Sequence, residues 1–235
     1  MRRCGEVACD PQALAGIPLF TGVSAATVQA VAAAVTVRHY RRNMFVFAEG
    51  EAAESFHFVM DGRVRVFRDT PGGHEQTLQV LGRGGLLAVV CFIEGQPYPA
   101  SAQTVLDSSI ASIRNGDLAR MAQEHGDLAW TLLRQLATRL LWAQGRIYDL
   151  ALRSATGRVV SALLQFAREQ GGKDERGRLT VDLPLTHREL GQLTGVSRET
   201  VTRTLGQLRD TGAVHWTEGG QLVVDPDKLD EWLHV

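Results

Sequence analysis

Residues 186–203 read THRELGQLTGVSRETVTR and predict two short helices joined by a tight turn. Thr186 is a candidate N-cap, and Glu189 three residues later completes the capping-box pattern that begins many helices. Gly195 supplies a permissive backbone for the turn, and Ser197 is then placed to cap a second helix. Two short helices joined by a Gly-containing turn form a helix-turn-helix unit.

The second helix of this unit has one apolar face and one polar face. Val201, Leu205 and Leu208 recur at the spacing of a buried stripe. The remaining face suits a DNA major groove, because a guanidinium can bond guanine O6 and N7 and a carboxylate can accept from cytosine N4. Hydroxyl groups near helix N-termini suit phosphate contacts. The predicted DNA-binding residues are Thr186, His187, Ser197, Arg198, Glu199, Thr200, Thr202 and Arg203.

A β-hairpin is predicted directly after the second helix. Residues 212–217 and 221–224 are rich in strand formers, and they flank Glu218-Gly219-Gly220, which is a turn signal. A helix-turn-helix followed by a hairpin is a winged helix. Upstream of this unit we expect a helix, a loop and an extended segment, at residues 157–169, 171–177 and 179–185 respectively.

The N-terminal half has a different periodicity. Between about Val35 and Ile113, short runs alternate apolar and polar residues at period two, and turn signals separate them. Many short strands at nearly even spacing predict a small antiparallel barrel or roll. Ser24 is expected to cap an Ala-rich helix at residues 25–34. The predicted fold class is therefore α+β: an antiparallel β-roll, a long helix and a winged helix-turn-helix.

A long helix is predicted over residues 128–150, where apolar residues recur at three- and four-residue steps. Trp130 lies off the main stripe, so the helix is apolar on more than one face and needs more than one surface to cover it. We expect one face to pack on the roll and the other on the same helix of a second subunit; burial within one subunit is the alternative. The predicted dimer-interface residues are Leu132, Leu136, Leu140 and Ile147.

Bulk composition restricts the class of protein without naming its partner. The net charge is −1, so a DNA-binding surface would need its positive charge concentrated locally. No apolar run approaches the ~18 residues of a membrane span, and no apolar segment follows Arg2-Arg3 as a secretory signal requires. Three cysteines in 235 residues do not suggest a disulfide scaffold. These features predict a cytoplasmic protein without a membrane partner.

The winged-helix stretch resembles the family of bacterial transcription factors that includes the cyclic-AMP receptor protein and the fumarate–nitrate reduction regulator. The resemblance is most specific at residues 197–203, SRETVTR. Upstream, Ala48-Glu49-Gly50 and Asp61-Gly62-Arg63-Val64 are similar to the β-roll sensor domain of that family. The resemblance extends from about Pro18 to Leu233, which is nearly the whole chain.

The family resemblance implies partners and a division of the chain. It implies a homodimer whose recognition helices enter successive major grooves roughly 34 Å apart, with RNA polymerase as a further partner. Arg198, Glu199 and Arg203 match the reader of the cyclic-AMP-receptor type, which implies a palindrome with TGTGA-like half-sites. The implied division is a leader at 1–17, a sensor domain at 18–127, a dimerisation helix with a hinge at 128–153, and the DNA-binding domain at 154–235.

The sensing end departs from the cyclic-nucleotide members of that family. Their phosphate-binding cassette has a Gly-Glu-Leu element and an Arg-Ser/Thr pair, whereas Val89 stands here in place of the ribose-binding carboxylate, and residues 98–101 contain no arginine. An unpaired phosphate would be costly to desolvate there. We therefore expect an effector other than cyclic AMP. The pocket residues expected from this correspondence are Leu87, Val89, Cys91, Ser101, Ala143 and Gln144.

Other signals stay open, and the cofactor is not assigned. An iron–sulfur cluster usually needs four thiolates, but the chain offers Cys4, Cys9 and Cys91, and Ala111 occupies the expected position in the roll. A small apolar ligand, a redox signal at a cysteine, or no effector remain alternatives. Haem is another, with candidate ligands at His39, His57, His74 and His125.

Two rival classes of protein fit the sequence poorly. A cupin-like enzyme on the roll would need clustered His and carboxylate ligands, and His57 with Glu54 lacks a His-x-His partner set. A regulatory module that binds only another protein has no use for a winged helix. We therefore expect a DNA-binding regulator without enzymatic activity.

Overall fold

The structure is a computed structural model that describes residues 6–69, 72–73, 75–87, 93, 95–170, 172–174, 177–181 and 185–234. The helices are α1 (Pro11–Ala15), α2 (Ala25–Ala34), α3 (Asn115–Glu124), α4 (Gly126–Leu152), α5 (Ala155–Gln170), α6 (His187–Thr194), α7 (Arg198–Asp210) and α8 (Pro226–Glu231), with 3-10 turns at Pro18–Phe20 and Trp232–His234. The strands are β1 (Glu6–Ala8), β2 (Thr36–Tyr40), β3 (Phe45–Phe47), β4 (Ser55–Asp61), β5 (Val64–Asp69), β6 (Glu75–Leu81), β7 (Leu86–Leu87), β8 (Ser101–Thr104), β9 (Ser108–Arg114), β10 (Gly172–Lys173), β11 (Leu179–Val181), β12 (Val214–Trp216) and β13 (Leu222–Val224).

The chain forms two compact units, Met1–Leu140 and Leu141–Val235. The change from one to the other falls inside α4, which runs without interruption from Gly126 to Leu152. The division predicted from the sequence falls elsewhere, at residues 127/128 and 153/154, and it stays a prediction.

The first unit is an antiparallel β-roll with helices on one side. Within the described residues its strands form two sheets, with orders β1-β2-β9-β4-β7 and β3-β8-β5-β6. Successive side chains of a strand point to opposite faces, and β4 uses both. Phe56 and Phe58 pack in a core with Leu14, Val28 and other residues of the helices, whereas Val59 packs in the separate core between the sheets.

The Ala-rich helix α2 begins as predicted. The Ser24 side chain accepts a hydrogen bond from the Thr27 amide at 3.2 Å, which confirms Ser24 as the N-cap. Asp127, in the first turn of α4, stabilises the N-terminus of α2. Its carboxylate accepts hydrogen bonds from the Ser24 amide at 2.8 Å and from the Thr27 hydroxyl at 3.0 Å. These bonds lower the pKa of Asp127 to about 2, with the Ser24 amide as the largest cause.

The second unit contains the predicted winged helix. Helices α6 and α7 are followed by the hairpin β12–β13, in which Val214 pairs with Val224 and Trp216 with Leu222. The segment predicted as a loop at 171–177 departs from that prediction, because Gly172–Lys173 forms a short strand paired antiparallel with β11. Residues 182–184 of the predicted extended segment lie outside the described part of the chain.

Helix α4 is the longest helix in the described residues. Leu128 and Leu132 are buried in the helix-side core of the first unit. None of the helices in the described ranges is both long enough and apolar enough to cross a lipid bilayer.

Candidate nucleic-acid interface and sensor site

The start of α6 has the geometry of a complete capping box. The Thr186 hydroxyl accepts from the Glu189 amide at 3.2 Å, and a Glu189 carboxylate oxygen accepts from the Thr186 amide at 2.7 Å. The Thr186 hydroxyl also lies 2.8 Å from that carboxylate and donates to it. The predicted capping box is confirmed, and it already engages the hydroxyl that the sequence assigns to a phosphate.

The turn between α6 and α7 depends on two glycines. Gly195 ends α6 at φ 68° and ψ 37°, the left-handed conformation that glycine adopts without strain. Gly191 permits the close approach of the chain after the turn, because a Cβ there would lie 2.7 Å from the carbonyl oxygen of Val196. Sequence reasoning missed the role of Gly191. A glycine inside a predicted helix is the signal that could have shown it.

The outward face of α7 matches the predicted one. Ser197 caps this helix by accepting from the Thr200 amide at 3.2 Å. Val201, Leu205 and Leu208 are buried, as the apolar stripe predicts. Four of the predicted DNA-binding residues are exposed on the other side of the helix: Arg198, Glu199, Thr202 and Arg203.

Several hydroxyl groups of this surface serve the protein itself. The Thr202 hydroxyl donates to the Arg198 carbonyl at 3.0 Å, so its oxygen accepts from Nδ1 of His187 at 2.9 Å. This pair links α6 to α7. The Thr200 and Ser197 hydroxyls lie 3.1 Å apart and bond each other.

The charged side chains of the same surface, unlike its hydroxyl groups, are not all engaged by other groups of the protein. Within the described residues, no ion pair involves Arg198 or Arg203. The pKa of Glu199 is lowered, first by a bond from its own backbone amide, then by the Ser197 side chain, with a smaller effect from Arg198. Glu199 is therefore an ionised, acceptor-only group at neutral pH. Two guanidinium groups and one carboxylate are thus exposed on the outward face of α7.

Comparison with known proteins identifies both units. The model of the family described as "Cyclic nucleotide-binding domain" matches residues 37–125, and the model of the family described as "Crp-like helix-turn-helix domain" matches residues 157–232. The chain is 30% identical over 216 residues to the "CRP-like cAMP-activated global transcriptional regulator" of Mycobacterium tuberculosis, a match that covers 92% of this chain and 96% of the relative. The chain belongs to the Crp/Fnr family of transcription factors.

Other Crp/Fnr proteins are similar over most of their length. The "Cyclic AMP receptor protein" of Thermus thermophilus is 31% identical over 92% of this chain and 96% of its own. The structure of FixK2 from Bradyrhizobium japonicum matches with a TM-score of 0.74 at 24% identity, covering 84% of this chain and 96% of that one. At 24% identity, the similarity to the FixK2 structure shows only that the two proteins share a fold. The chain is thus a Crp/Fnr-family transcription regulator with a DNA-binding helix-turn-helix.

The residues predicted for the effector pocket are distributed over the two units of this Crp/Fnr protein. Leu87 is fully buried in β7 and belongs to the core between the sheets. Ser101 is buried at the start of β8, where its hydroxyl accepts from the Glu49 amide at 3.0 Å. In the second unit, Ala143 is half-buried and Gln144 is exposed on α4. The remaining two, Val89 and Cys91, lie outside the described residues.

The histidines considered for haem have polar partners in the protein. Nε2 of His57 lies 3.1 Å from the Tyr98 hydroxyl, which donates to the Ser55 carbonyl, and Nδ1 lies 2.7 Å from the Ser112 hydroxyl. Burial lowers the pKa of His57 to about 4, so Nε2 of the neutral ring donates and Nδ1 accepts. An iron ligated by His57 would have to replace one of these bonds. Two of the other candidate haem ligands also have hydrogen-bond partners: His39 is bonded to the Ser109 hydroxyl, and His125 to the Thr27 hydroxyl. The fourth candidate, His74, lies outside the described residues.

Cys9 is the described member of the three cysteines considered for a cluster. It is 8% exposed in the helix-side core, and burial, aided by Asp10, raises the pKa of its thiol. Cys4 and Cys91 lie outside the described residues. In the described ranges, no group of three or more His, Cys, Asp or Glu side chains could hold a metal ion.

Arg139 is a cation near β7 that sequence reasoning missed, because the family resemblance predicts the arginine within the roll. Arg139, on α4 but within the first unit, donates from Nη1 to the Leu86 carbonyl at 3.0 Å. Arg139 is half-buried. An arginine among the apolar residues of a long helix is the signal that could have drawn attention to it.

The apolar surface of α4 only partly follows the predicted dimer interface. Leu132 is 6% exposed and packs in the core of its own unit, and Leu136 is half-buried. Leu140 and Ile147 are 61% and 67% exposed. The exposed residues 130, 133, 137, 140, 144 and 147 alternate steps of three and four, as the a and d positions of a coiled coil do. We call this set the α4 seam; it includes Trp130 and Leu133, which the prediction left out.

Proposed function

We propose that this protein is a homodimeric, sequence-specific transcription regulator that reads a palindrome with TGTGA-like half-sites and is controlled by an effector other than cyclic AMP. The observation that carries the proposal is the set of exposed charged groups on α7: Arg198, Glu199 and Arg203. Their open donors and acceptor are those that guanine and cytosine edges require.

Each of the three residues has its own task in this proposal. Arg198 donates to guanine O6 and N7, and Glu199 accepts from cytosine N4, so adjacent positions on the first turn address both partners of G·C pairs. Arg203, about one turn further on, reaches a neighbouring base or a phosphate. Thr186, Ser197 and Thr200 sit at helix N-termini, and the partial positive charge of a helix N-terminus favours phosphate oxygens.

The α4 seam supports the homodimer. Large apolar side chains are 54–67% exposed along it, from Leu133 at the low end to Ile147 at the high end, and an apolar stripe of this kind marks an interaction surface. A parallel pair of α4 helices related by a two-fold axis brings identical residues together and presents two recognition helices to a palindrome.

Cyclic AMP is the competing effector, because the names of the two relatives described above contain it. Two features of the cassette argue against it here: Val89 stands in place of the ribose-binding carboxylate, and residues 98–101 contain no arginine. A haem, iron–sulfur or redox signal, or constitutive activity, are the remaining alternatives. RNA polymerase as partner and a cytoplasmic location complete the proposal by analogy with the family.

Base reading is tested with the Arg198→Ala protein. We expect a loss of about 1–3 kcal/mol for each half-site of the palindrome and a relaxed preference at one base pair per half-site, because one bidentate contact is removed from each half-site. Fluorescence anisotropy against a set of single-base variants measures both effects. Arg168→Ala is the control, since Arg168 lies exposed on α5 beside Asp230. A uniform loss on every duplex would reassign Arg198 to a phosphate.

The effector is tested by calorimetry and spectroscopy. We expect no saturable binding of cyclic AMP up to about 1 mM; tight binding, at about 10 μM or below, would contradict the proposal. Purification without oxygen followed by an ultraviolet–visible spectrum and metal analysis separates haem, cluster and neither. A Soret band or a bound cluster would replace the small-molecule effector by a gas or redox signal.

A further inference from the structure

The C-terminal end of α6 is held by two arginines that lie outside the helix-turn-helix. Arg146 of α4 donates from Nη2 to the Leu193 carbonyl. Arg158 of α5 donates from Nε to the Thr194 carbonyl at 3.0 Å and from Nη2 to the Gly195 carbonyl at 3.3 Å. The last carbonyls of a helix lack partners within the helix and carry its partial negative charge, so guanidinium groups satisfy both needs there.

These carbonyls belong to the turn that orients α7. Gly195 is followed by Val196, whose amide donates back to the Gly191 carbonyl at 3.0 Å, and then by Ser197, the N-cap of α7. The turn is tightly packed, because a Cβ on Gly191 would meet the Val196 carbonyl at 2.7 Å. A rotation of this turn therefore rotates the first residues of α7, where Arg198 and Glu199 lie.

The end of α4 is fastened to the same unit by a buried ion pair. Asp149 is 7% exposed; its carboxylate accepts from Nε of Arg153 at 2.5 Å and from the Ser161 hydroxyl of α5 at 2.6 Å. Arg153 also donates to the Leu233 carbonyl at 2.9 Å. Asp149 and Arg153 thus fasten the last turn of α4 to α5 and to the 3-10 turn at Trp232–His234.

The charges in this cluster explain why Arg146 needs the helix end. Burial lowers the pKa of the Arg146 guanidinium and Arg158 lowers it further, while Asp149 opposes both effects. The carboxylate of Asp149 is already engaged with Arg153 and Ser161. The carbonyl oxygens at the end of α6 therefore supply the remaining compensation for two neighbouring cations.

We infer that Arg146 is a positioning residue for DNA recognition: it links the last turns of α4 to the helix-turn-helix turn and so sets the direction of α7. A displacement of α4 reaches the recognition helix through this side chain, with Arg158 as its companion on α5. The inference rests on the proposed base reading by α7. It makes the end of α4 a fixed connection to the helix-turn-helix, where the family resemblance implies a hinge within residues 128–153.

The test compares three full-length variants. Arg146→Gln removes the charge, Arg146→Lys keeps the charge without the guanidinium fork, and Arg168→Gln is the matched control on α5. Each is titrated with the preferred palindrome, with single-base variants of it and with unrelated duplex. For Arg146→Gln we expect a loss of about tenfold in specific affinity, the size of one hydrogen bond to a charged group, and a reduced ratio of specific to unrelated binding.

Several readouts separate positioning from general stability. We expect Arg146→Lys to recover part of the specificity ratio and Arg168→Gln to leave it unchanged. The amide resonance of Gly195 should shift in Arg146→Gln and not in Arg168→Gln. If Arg146→Gln fails to fold, Arg146→Lys carries the test, with a reduced ratio expected at an unchanged melting temperature.

Two results would contradict the role of Arg146. A specificity ratio in both Arg146 variants that equals the ratio of Arg168→Gln would overturn the inference, as would an equal loss on every duplex. If the wild-type protein prefers a different duplex after selection from random sequences, the proposed half-site is wrong, and the same ratios measured on the selected duplex still decide the role of Arg146.

Discussion

Hydroxyl and guanidinium groups have different roles on the side of the winged helix that is proposed to face DNA. The hydroxyls of Thr186, Ser197 and Thr202 stabilise helix ends or link α6 to α7. Arg198 and Arg203 remain without ion pairs in the described part of the chain. The same residues that identify the surface in the sequence thus split into a group that builds it and a group that can read bases.

Asp127 gives the first unit a defined dependence on acid. Its pKa in the folded chain is about 2, below its ordinary value of 3.8, so its contribution to stability is complete above about pH 4 and disappears as the pH falls towards 2. We expect Asp127→Asn to lower the free energy of unfolding by about 1 kcal/mol at pH 6, because bonds to Ser24 and Thr27 weaken. The difference from wild type should shrink at pH 2–3.

Denaturant unfolding at several pH values measures this contribution. Asp210→Asn is the control, since Asp210 forms a surface ion pair with Arg209 that contributes little. A pH-independent difference between wild type and Asp127→Asn would mean that the carboxylate charge has no part in the capping.

Two glycines in the helix-turn-helix are expected to respond in opposite ways to alanine. Gly191→Ala places a methyl group 2.7 Å from the Val196 carbonyl, so we expect a destabilisation of about 1–3 kcal/mol and weaker DNA binding. Gly206→Ala, in α7, meets no atom within 4 Å, and we expect a gain of about 0.5–1 kcal/mol. Thermal unfolding of both variants measures the signs, and a Gly191→Ala protein that is as stable as wild type or more stable would contradict the close approach at Gly191.

At the scale of secondary-structure elements, local signals are predictable and the choice of buried face is not. The capping box at Thr186, the Ser24 cap and the hairpin after α7 follow from short-range chemistry, and all three are confirmed. The periodicity of α4 shows that several faces are apolar but not which one the first unit covers. The periodicity therefore predicts Leu132 in the dimer interface, whereas the structure packs it in the core of its own unit.

The α4 seam can be distinguished from the stripe predicted by sequence. We expect Leu133→Glu to convert the dimer to a monomer at micromolar concentration, because it places two carboxylates in an apolar seam. Leu136→Glu, on the half-buried predicted stripe, should affect the melting temperature of the first unit more than the dimer. Sedimentation velocity and circular dichroism measure the two effects. A monomer from Leu136→Glu together with an intact dimer from Leu133→Glu would favour the original stripe.

For the molecule as a whole, the sequence supports two functional parts but not the point at which they separate. The sequence prediction starts the DNA-binding domain at residue 154. The contacts divide the chain after Leu140 instead. The reason lies in long-range pairs such as Asp149 with Ser161 and Arg146 with Leu193, which no local pattern reveals.

Two fragments of the chain measure which division holds. Residues 141–235 retain the Asp149–Arg153 pair and the Arg146 contact, whereas residues 154–235 lose them and leave Ser161 and the Leu193 carbonyl without these partners. We expect the longer fragment to be more stable by about 2–4 kcal/mol, since removing partners from a buried ion-pair network is strongly destabilising. Denaturant unfolding at low protein concentration, where the exposed α4 residues do not associate, gives the comparison. Adding Asp149→Asn to the longer fragment should remove most of the difference. Equal stability of the two fragments would place the boundary at residue 154 and would leave α4 free to move independently of the winged helix.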